Sequence, residues 1–320
     1  MITKIAVLLI LMAVVPDIYI DRRFLRRMRG RRALMCRLLW WLPTIAMIAY
    51  TMVFVFDRQF APSDIRLLNV YLFLVGLFVT PKCLFAICSS IGWGIRKMLR
   101  SRANYGNLVG VVMVVLNWYV LFYGSFWGFD DIRVRKVTFE SAQLPEAFDG
   151  YRIVQFSDAH VGSYIGGKEH LLQMIVDTIN AQNADMVVFA GDLQNREPQE
   201  IRPFVDVLSG IKAKDGVFSV IGNHDYADYI DASPTTKVAN EMETRRLEKI
   251  MGWQLLVNEH KVIRRDADSI VIAGLDNDGD GKKFPQRGDV AKALYGVSDS
   301  ALVIMAEHDP TCRRRTISPQ

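Results

Sequence analysis

The sequence predicts an all-α membrane region of about four transmembrane helices followed by an α/β domain, and three observations lead there. Hydrophobicity is concentrated before residue 128, in apolar stretches at 5–20, 38–56, 67–91 and 108–127. Beyond residue 151 short apolar runs alternate with amphipathic helical patterns, the signature of an α/β core rather than a helical bundle or a β-sandwich. Three of those runs are followed at once by polar fragments: Asp158-Ala159-His160, Gly191-Asp192 and Gly222-Asn223-His224-Asp225. The 320 residues therefore divide into a membrane region over 1–128, a linker over 129–150 and an α/β domain over 151–320.

In the membrane region three stretches reach the roughly 20 residues that cross a bilayer as a helix. The first is shorter and carries Pro16 and Asp17. Lys4 ahead of its apolar core imitates a signal peptide, but no small-residue cleavage site follows and a dense run of arginines does. The net charge of +5 and pI of about 9.0 reflect that run, with Arg22, Arg23, Arg26, Arg27, Arg29, Arg31, Arg32 and Arg37 filling one loop between apolar segments. Arginine beside a membrane span marks a cytoplasmic loop. No folded recognition element surrounds it, so no nucleic-acid partner is expected.

Counting crossings from that loop, the second stretch exits, the third returns to Arg96, Lys97, Arg100 and Arg102, and the fourth exits again. The expectation is a multi-pass cell-membrane protein whose soluble domain lies outside the cytoplasm, whether or not the first stretch spans. Arg133, Arg135 and Lys136 run counter to this orientation. Pro43, Pro81 and Asn117 are tolerated in membrane helices, and with no acidic residue near the centre of the three stronger spans, transport is not expected. Cys36, Cys83 and Cys88 belong to the membrane region, and Cys312 is alone in the soluble part, so no disulfide framework or cysteine metal site is expected there.

In the soluble part, the linker is punctuated by Pro145 and Gly150 and offers an edge strand over 133–139. Strands are then expected over 152–156, 186–190, 217–221, 254–257, 269–273 and 301–306. Helices are expected over 168–182, 200–211, 236–251 and 289–294; the first places Leu171, Leu172, Ile175, Val176 and Ile179 on one face.

The three polar fragments fall just past strand ends, where α/β folds build their ligand crevice. Asp158 and His160 flank one residue, so an extended loop presents one carboxylate and one imidazole to a first cation. Asp192, 34 positions on, can bridge two cations with its two oxygens, and Asn223 can offer an amide oxygen to the second. Two such cations clamp a phosphate and activate water. His224, beside Asn223, is then placed to protonate a leaving alkoxide. Manganese, iron, zinc or magnesium would each accept this mixture of carboxylate, amide and imidazole.

These residues resemble the calcineurin-like metallophosphoesterase family, whose pattern is D-x-H, GD-x-x, GNH-D/E, a later lone histidine and a final G-H-x-H. The resemblance covers about 151–320, and the preceding spans resemble the family's bacterial membrane-bound branch rather than the soluble serine/threonine phosphatases. It implies a two-sheet sandwich flanked by helices and hydrolysis of a phosphomonoester or phosphodiester. It also implies one metal ion on Asp158, His160 and Asp192, a second on Asp192, Asn223 and His308, and His224 as proton donor. A site tethered to the lipid bilayer suggests a lipid-linked or nucleotide-sugar phosphate as substrate.

Two positions depart from the family pattern. Where the protein phosphatases of the superfamily carry an aspartate that orients the histidine, this chain has Asn195. The final G-H-x-H is absent, since twelve residues follow His308 and none is histidine. The domain is therefore expected to be C-terminally incomplete. The alternative to an enzyme is a truncated or degenerate member that binds metal weakly and serves as a membrane or interaction module.

Other candidates receive plain structural readings. His170 on a helix and His260 in a turn are expected at the surface. Arg196 could contact a substrate phosphate but is read as an ordinary surface arginine. Residues 276–281 match the start of a calcium-binding EF-hand loop, yet the twelfth position is Arg287 instead of glutamate and no helix leads in, so a polar turn is expected. Asp276 could still face the site from a strand end.

Overall fold

The computed structural model describes residues 2–56, 65–128, 131–279 and 286–311. It forms two compact units, Met1–Asp131 and Ile132–Gln320.

The first unit is helical: α1 (Ile2–Arg23), α2 (Arg31–Phe56), α3 (Ile65–Leu74), α4 (Thr80–Met98) and α5 (Tyr105–Phe126), with a π turn over Val75–Val79 joining α3 to α4. Among the described residues, three helices are long and apolar enough to cross a membrane: Arg31–Phe56, Arg66–Met98 and Tyr105–Phe126. α1 carries a buried carboxylate instead. Asp17 is fully buried, and Lys82 from α4 reaches its Oδ1 at 2.9 Å and the Thr44 hydroxyl of α2 at 2.8 Å. The ammonium also lies over the Trp40 ring. Matching the charge across helices is what lets an acidic residue sit inside an apolar bundle.

Asn117 has a similar explanation. A π turn leaves carbonyls without their usual partners, and here Asn117 Nδ2 donates to Gly76 O at 2.9 Å while Trp118 Nε1 donates to Leu77 O at 3.1 Å. The arginine-rich segment is shorter than the sequence suggests. Arg22 and Arg23 end α1, and Arg31, Arg32 and Arg37 lie within α2. Asp21 gathers two of the charges, Arg37 at 2.6 Å and Arg26 at 3.2 Å.

Among the described residues the second unit holds two sheets. In the first, β1 (Ile153–Phe156), β2 (Met186–Phe189), β3 (Val217–Ser219) and β4 (Gln254–Leu255) run parallel in that order. In the second, β5 (Glu259–Arg265) pairs antiparallel with β6 (Asp268–Gly274), which pairs parallel with β7 (Val303–Ala306). Strand alternation sends successive residues to opposite faces. On one face Val187, Phe189 and Val217 meet Leu172 and Val176 of α6 (Glu169–Ala181), Leu208 of α7 (Val205–Leu208) and Leu247 of α8 (Pro234–Ile250). On the other, Met186, Val188 and Phe218 pack against Ile263, Ile270 and Ile272 of the second sheet. This is the helix-flanked two-sheet arrangement implied by the resemblance.

Several elements differ from expectation. The helix expected over 200–211 shortens to single 3₁₀ turns at Pro198–Glu200 and Arg202–Phe204 followed by α7, because Pro203 cannot donate to a helical ladder. β5 was not anticipated, since its Glu-His-Lys-Val-Ile-Arg-Arg sequence is mostly polar and only Ile263 is buried. The segment over 133–139 forms no strand, and Val137 and Phe139 stay exposed. α8 begins as the physical rules require, with the Ser233 hydroxyl accepting from Thr236 N and Pro234 in the first turn. α9 (Val290–Ala293) is capped in the same way by Asp289.

Candidate metal centre

The loops after β1, β2 and β3 converge at the carboxyl ends of the parallel sheet, and the residue two past β7 joins them. Asp158 N and His160 N donate to Gly191 O and Asp192 O at 2.9 and 3.1 Å, which ties the first loop to the second. Close backbone approach makes glycine necessary at two places. A Cβ on Gly191 would stand 2.6 Å from Gly222 N, and one on Gly222 would stand 2.2 Å from Asp192 Oδ1. Asp158, His160 and Asp192 all hold left-handed backbone, at φ of 53°, 40° and 62°. Three such non-glycine residues together are costly, and strain of this kind gathers at functional sites.

Asp192 lies at the centre. Its Oδ2 is 3.7 Å from His160 Nε2, 4.0 Å from His224 Nε2 and 3.4 Å from His308 Nε2. Among the described residues, two groups could each hold a cation, His160 with Asp192 and His224, and Asp158 with Asp192 and His308, the ligand atoms of each lying within 4.8 Å of one another. Asn223 Oδ1 stands 3.2 Å from His308 Nε2, beside the second group. Ligands about 2.0–2.2 Å from one four-coordinate cation stand roughly 3.3 Å or somewhat more apart, so the spacing fits divalent metal. All six residues singled out in the sequence are thus brought together, with Asp192 common to both groups. The geometry also places His224 among the potential ligands.

Each imidazole is turned by a backbone carbonyl. His160 Nδ1 contacts Gln194 O at 3.2 Å, His224 Nδ1 contacts Asn195 O at 2.6 Å and His308 Nδ1 contacts Ala190 O at 2.8 Å. A proton on Nδ1 leaves Nε2 facing Asp192, the form a metal ligand requires. Burial alone would lower the His308 pKa, but the Asp192 carboxylate outweighs it and lifts the value to about 9. Burial likewise opposes ionisation of Asp192, yet His308 and His224 hold its pKa below the ordinary range.

Asn195 therefore orients His224 through its main chain. Its side-chain amide donates instead to Ser163 Oγ at 2.9 Å. Asp225 completes the frame. Fully buried, it accepts the backbone N–H groups of Asp192, Leu193, Gln194 and Gly222 at 2.9–3.3 Å, joining the second and third loops. Burial and the neighbouring Asp192 charge push its pKa up to about 6 against the Gly222, Gln194 and Asp192 donors. Gln194 bonds His224 O through Nε2 at 2.9 Å and takes the Thr244 hydroxyl of α8 on Oε1 at 2.8 Å. Neither Asp225 nor Gln194 has a role that its residue type alone announces. The signal for Asp225 was its place in an unbroken Gly-Asn-His-Asp run.

The remaining candidates lie elsewhere. His170 is exposed on α6. His260 sits within β5 rather than a turn, half-buried, with Nδ1 2.8 Å from Ala293 O. Arg196 N donates to Glu200 Oε2 at 3.1 Å. Asp276 is buried and takes the Tyr226 hydroxyl, outside both ligand groups. Within the EF-hand-like stretch, Asp280 and Gly281 lie outside the described residues, as does Cys312. Arg287 stacks over the Tyr226 ring at 4.1 Å.

Comparison with known proteins finds metallophosphoesterases among those the chain is similar to. Residues 151–296 match the family described as Calcineurin-like phosphoesterase, and residues 3–129 match "Probable Calcineurin-like phosphoesterase, transmembrane domain". His308 lies beyond the matched residues. The chain is 31% identical over 212 residues to a zebrafish (Danio rerio) "Transmembrane protein with metallophosphoesterase domain", covering 65% of this chain and 46% of that protein. It is 29% identical over 188 residues to the uncharacterized metallophosphoesterase YkuE of Bacillus subtilis, covering 58% and 60%. A Campylobacter jejuni uncharacterized metallophosphoesterase is 23% identical over 275 residues, covering 83% and 67%. The chain spans about half the length of the first of these relatives.

Proposed function

Because this chain belongs to the calcineurin-like metallophosphoesterase family, with a transmembrane domain ahead of the phosphoesterase domain, we propose that it is a membrane-anchored hydrolase of phosphomonoesters or phosphodiesters with a dinuclear metal centre. The observation that carries the proposal is the Asp192 carboxylate shared by two ligand groups. The geometric groups pair His160 with His224 and Asp158 with His308 across Asp192. The assignment implied by the resemblance keeps Asp192 shared, puts Asp158 Oδ1 3.9 Å from His160 Nε2 and leaves His224 to transfer a proton. In it Asp158, His160 and Asp192 would hold one divalent cation, and Asp192, Asn223 and His308 the other. Bound there, the pair supplies Lewis acidity toward the phosphoryl oxygens and acidifies water.

The chain's own part is to place and protonate. The left-handed loops and the Asp225 clamp hold the ligands before substrate arrives. His224, its Nδ1 tied to Asn195 O at 2.6 Å, keeps Nε2 toward the site. In hydrolysis the new P–O bond would form from water, whose proton passes to solvent, as the ester P–O bond breaks; His224, carrying a proton on Nε2 as well as on Nδ1, would deliver the Nε2 proton to the departing alkoxide. The arginines ahead of the second span support an extracytoplasmic position for this unit, and the tether favours a lipid-linked or nucleotide-sugar phosphate.

The test is hydrolysis of an aryl phosphate monoester and an aryl phosphodiester by the full chain in detergent, with metal content measured alongside. Turnover that depends on added divalent metal and vanishes in Asp192→Ala is the expected result. Turnover unchanged in Asp192→Ala would sink the proposal. Metal uptake without hydrolysis of either ester would favour the non-catalytic membrane module. Paired alkaline-phosphatase and fluorescent-protein fusions after residue 311 test the orientation, the phosphatase alone being active if the unit is extracytoplasmic.

A further inference from the structure

Just after the Gly-Asn-His-Asp turn, Ala227 adopts left-handed backbone at φ 55° and reverses the chain. The reversal folds Tyr229 back over the centre. Its ring stacks on His224 with centroids 4.2 Å apart and planes 26° from parallel, and its hydroxyl accepts Asn223 Nδ2 at 2.8 Å. Lys237 of α8 holds this loop by donating to Asp228 O at 3.0 Å.

An asparagine offers a cation only one of its two terminal atoms. If the amide turns over, the NH₂ group replaces the oxygen and the ligand is lost. With Nδ2 engaged by Tyr229, Oδ1 points to His308 Nε2, 3.2 Å away, on the side of the second ligand group. The same ring limits the tilt of His224, which also meets His160 in a T-shaped contact with centroids 4.7 Å apart. One side chain therefore touches both a ligand of the proposed centre and its proton donor.

We infer that Tyr229 is a positioning residue, whose hydroxyl sets the amide of Asn223 for metal and whose ring sets the imidazole of His224 for proton delivery. The inference rests on the dinuclear reading above. Partners just outside a metal's ligands typically contribute 10–100-fold in affinity, and the two functions of Tyr229 belong to separable parts of it. Tyr229→Phe removes the hydroxyl and keeps the ring; Tyr229→Ala removes both. Tyr229 is 45% exposed, so neither change opens a cavity in the core.

The experiment is equilibrium dialysis of Mn²⁺ against the metal-free full chain in detergent, followed by turnover at saturating Mn²⁺. Tyr229→Phe should weaken one of two Mn²⁺ sites by about tenfold, leave the other unchanged and recover wild-type turnover once Mn²⁺ saturates. Tyr229→Ala should show the same affinity loss and keep reduced turnover at saturation. A purely structural role would instead lower the thermal midpoint of the metal-free chain without separating affinity from turnover. Wild-type chain that binds two Mn²⁺ together with a Tyr229→Phe variant of equal affinity overturns the inference alone. Wild-type chain that takes up no Mn²⁺ overturns the dinuclear reading and this inference with it.

Discussion

The Asp225 carboxylate, with no exposure to solvent, accepts the backbone N–H of Asp192 at 2.9 Å. The residue shared by both ligand groups is thus held from beneath by a second carboxylate that belongs to neither group. This places two acidic side chains in contact range of one backbone turn, an arrangement that four N–H donors make tolerable.

Replacing that acceptor should be expensive. Asp225→Asn presents an NH₂ group to backbone donors and leaves some of them buried without a partner. A loss of about 2–4 kcal/mol is expected, read as a lower thermal midpoint of the soluble unit together with weaker metal uptake. An unchanged midpoint would show that the clamp contributes little.

Two glycine changes should separate geometry from stability. Gly222→Ala drives a methyl to within 2.2 Å of Asp192 Oδ1, so hydrolysis should be lost. At Gly252, where φ is +81° and nothing lies within 4 Å, alanine should cost about 1 kcal/mol from backbone strain alone and leave turnover unchanged. Equal losses of activity in both variants would contradict this account.

Glu248 predicts a pH dependence of stability. Burial, and secondarily the Asp225 charge, push its carboxyl from 4.5 up to about 8, where Ser219 also donates to it. Between those values the folded chain holds a proton that the unfolded chain has released, so stability falls as pH rises from about 4.5 to about 8. Below that window this group contributes no slope, and above it the full penalty is present. Denaturation midpoints across the range should decline in the wild type and decline less steeply in Glu248→Gln, where Asp225, raised to about 6, and His308, raised to about 9, still contribute; parallel profiles would rule the assignment out.

In the helical unit, Lys82→Met leaves the Asp17 carboxylate buried without its cation and should cost about 3–5 kcal/mol. The double change Asp17→Asn with Lys82→Met should recover most of that, because the pair is removed together. Midpoints of detergent-solubilised protein and yields from membranes would show it. A double variant no better than Lys82→Met alone would mean that the two residues are not coupled.

Much of this was legible in the chain itself. Four apolar stretches, the alternation of strand and helix beyond residue 151 and the order of the three polar fragments follow from side-chain periodicities of two and 3.6 residues. These are local and therefore visible without a fold. Asp158, His160, Asp192, Asn223 and His224 could be named for the same reason, each standing just after an apolar run, whereas His308 was named through the family resemblance. β5 escaped because a half-exposed strand of mostly polar residues leaves only a faint period.

Other features required the chain to close on itself. That the main chain of Asn195, and not its amide, turns His224 depends on a loop geometry that no residue type announces. Asp225 gains its role from donors 31–33 positions away, and Lys82 its partner from 65 positions away. Sequence by itself determined which groups were available and which elements would carry them, because local periodicity and strand-end placement are short-range properties. Tertiary structure alone decided which atoms meet, because hydrogen bonds and ion pairs depend on distances of a few ångströms that only packing of the sheets, helices and loops can set.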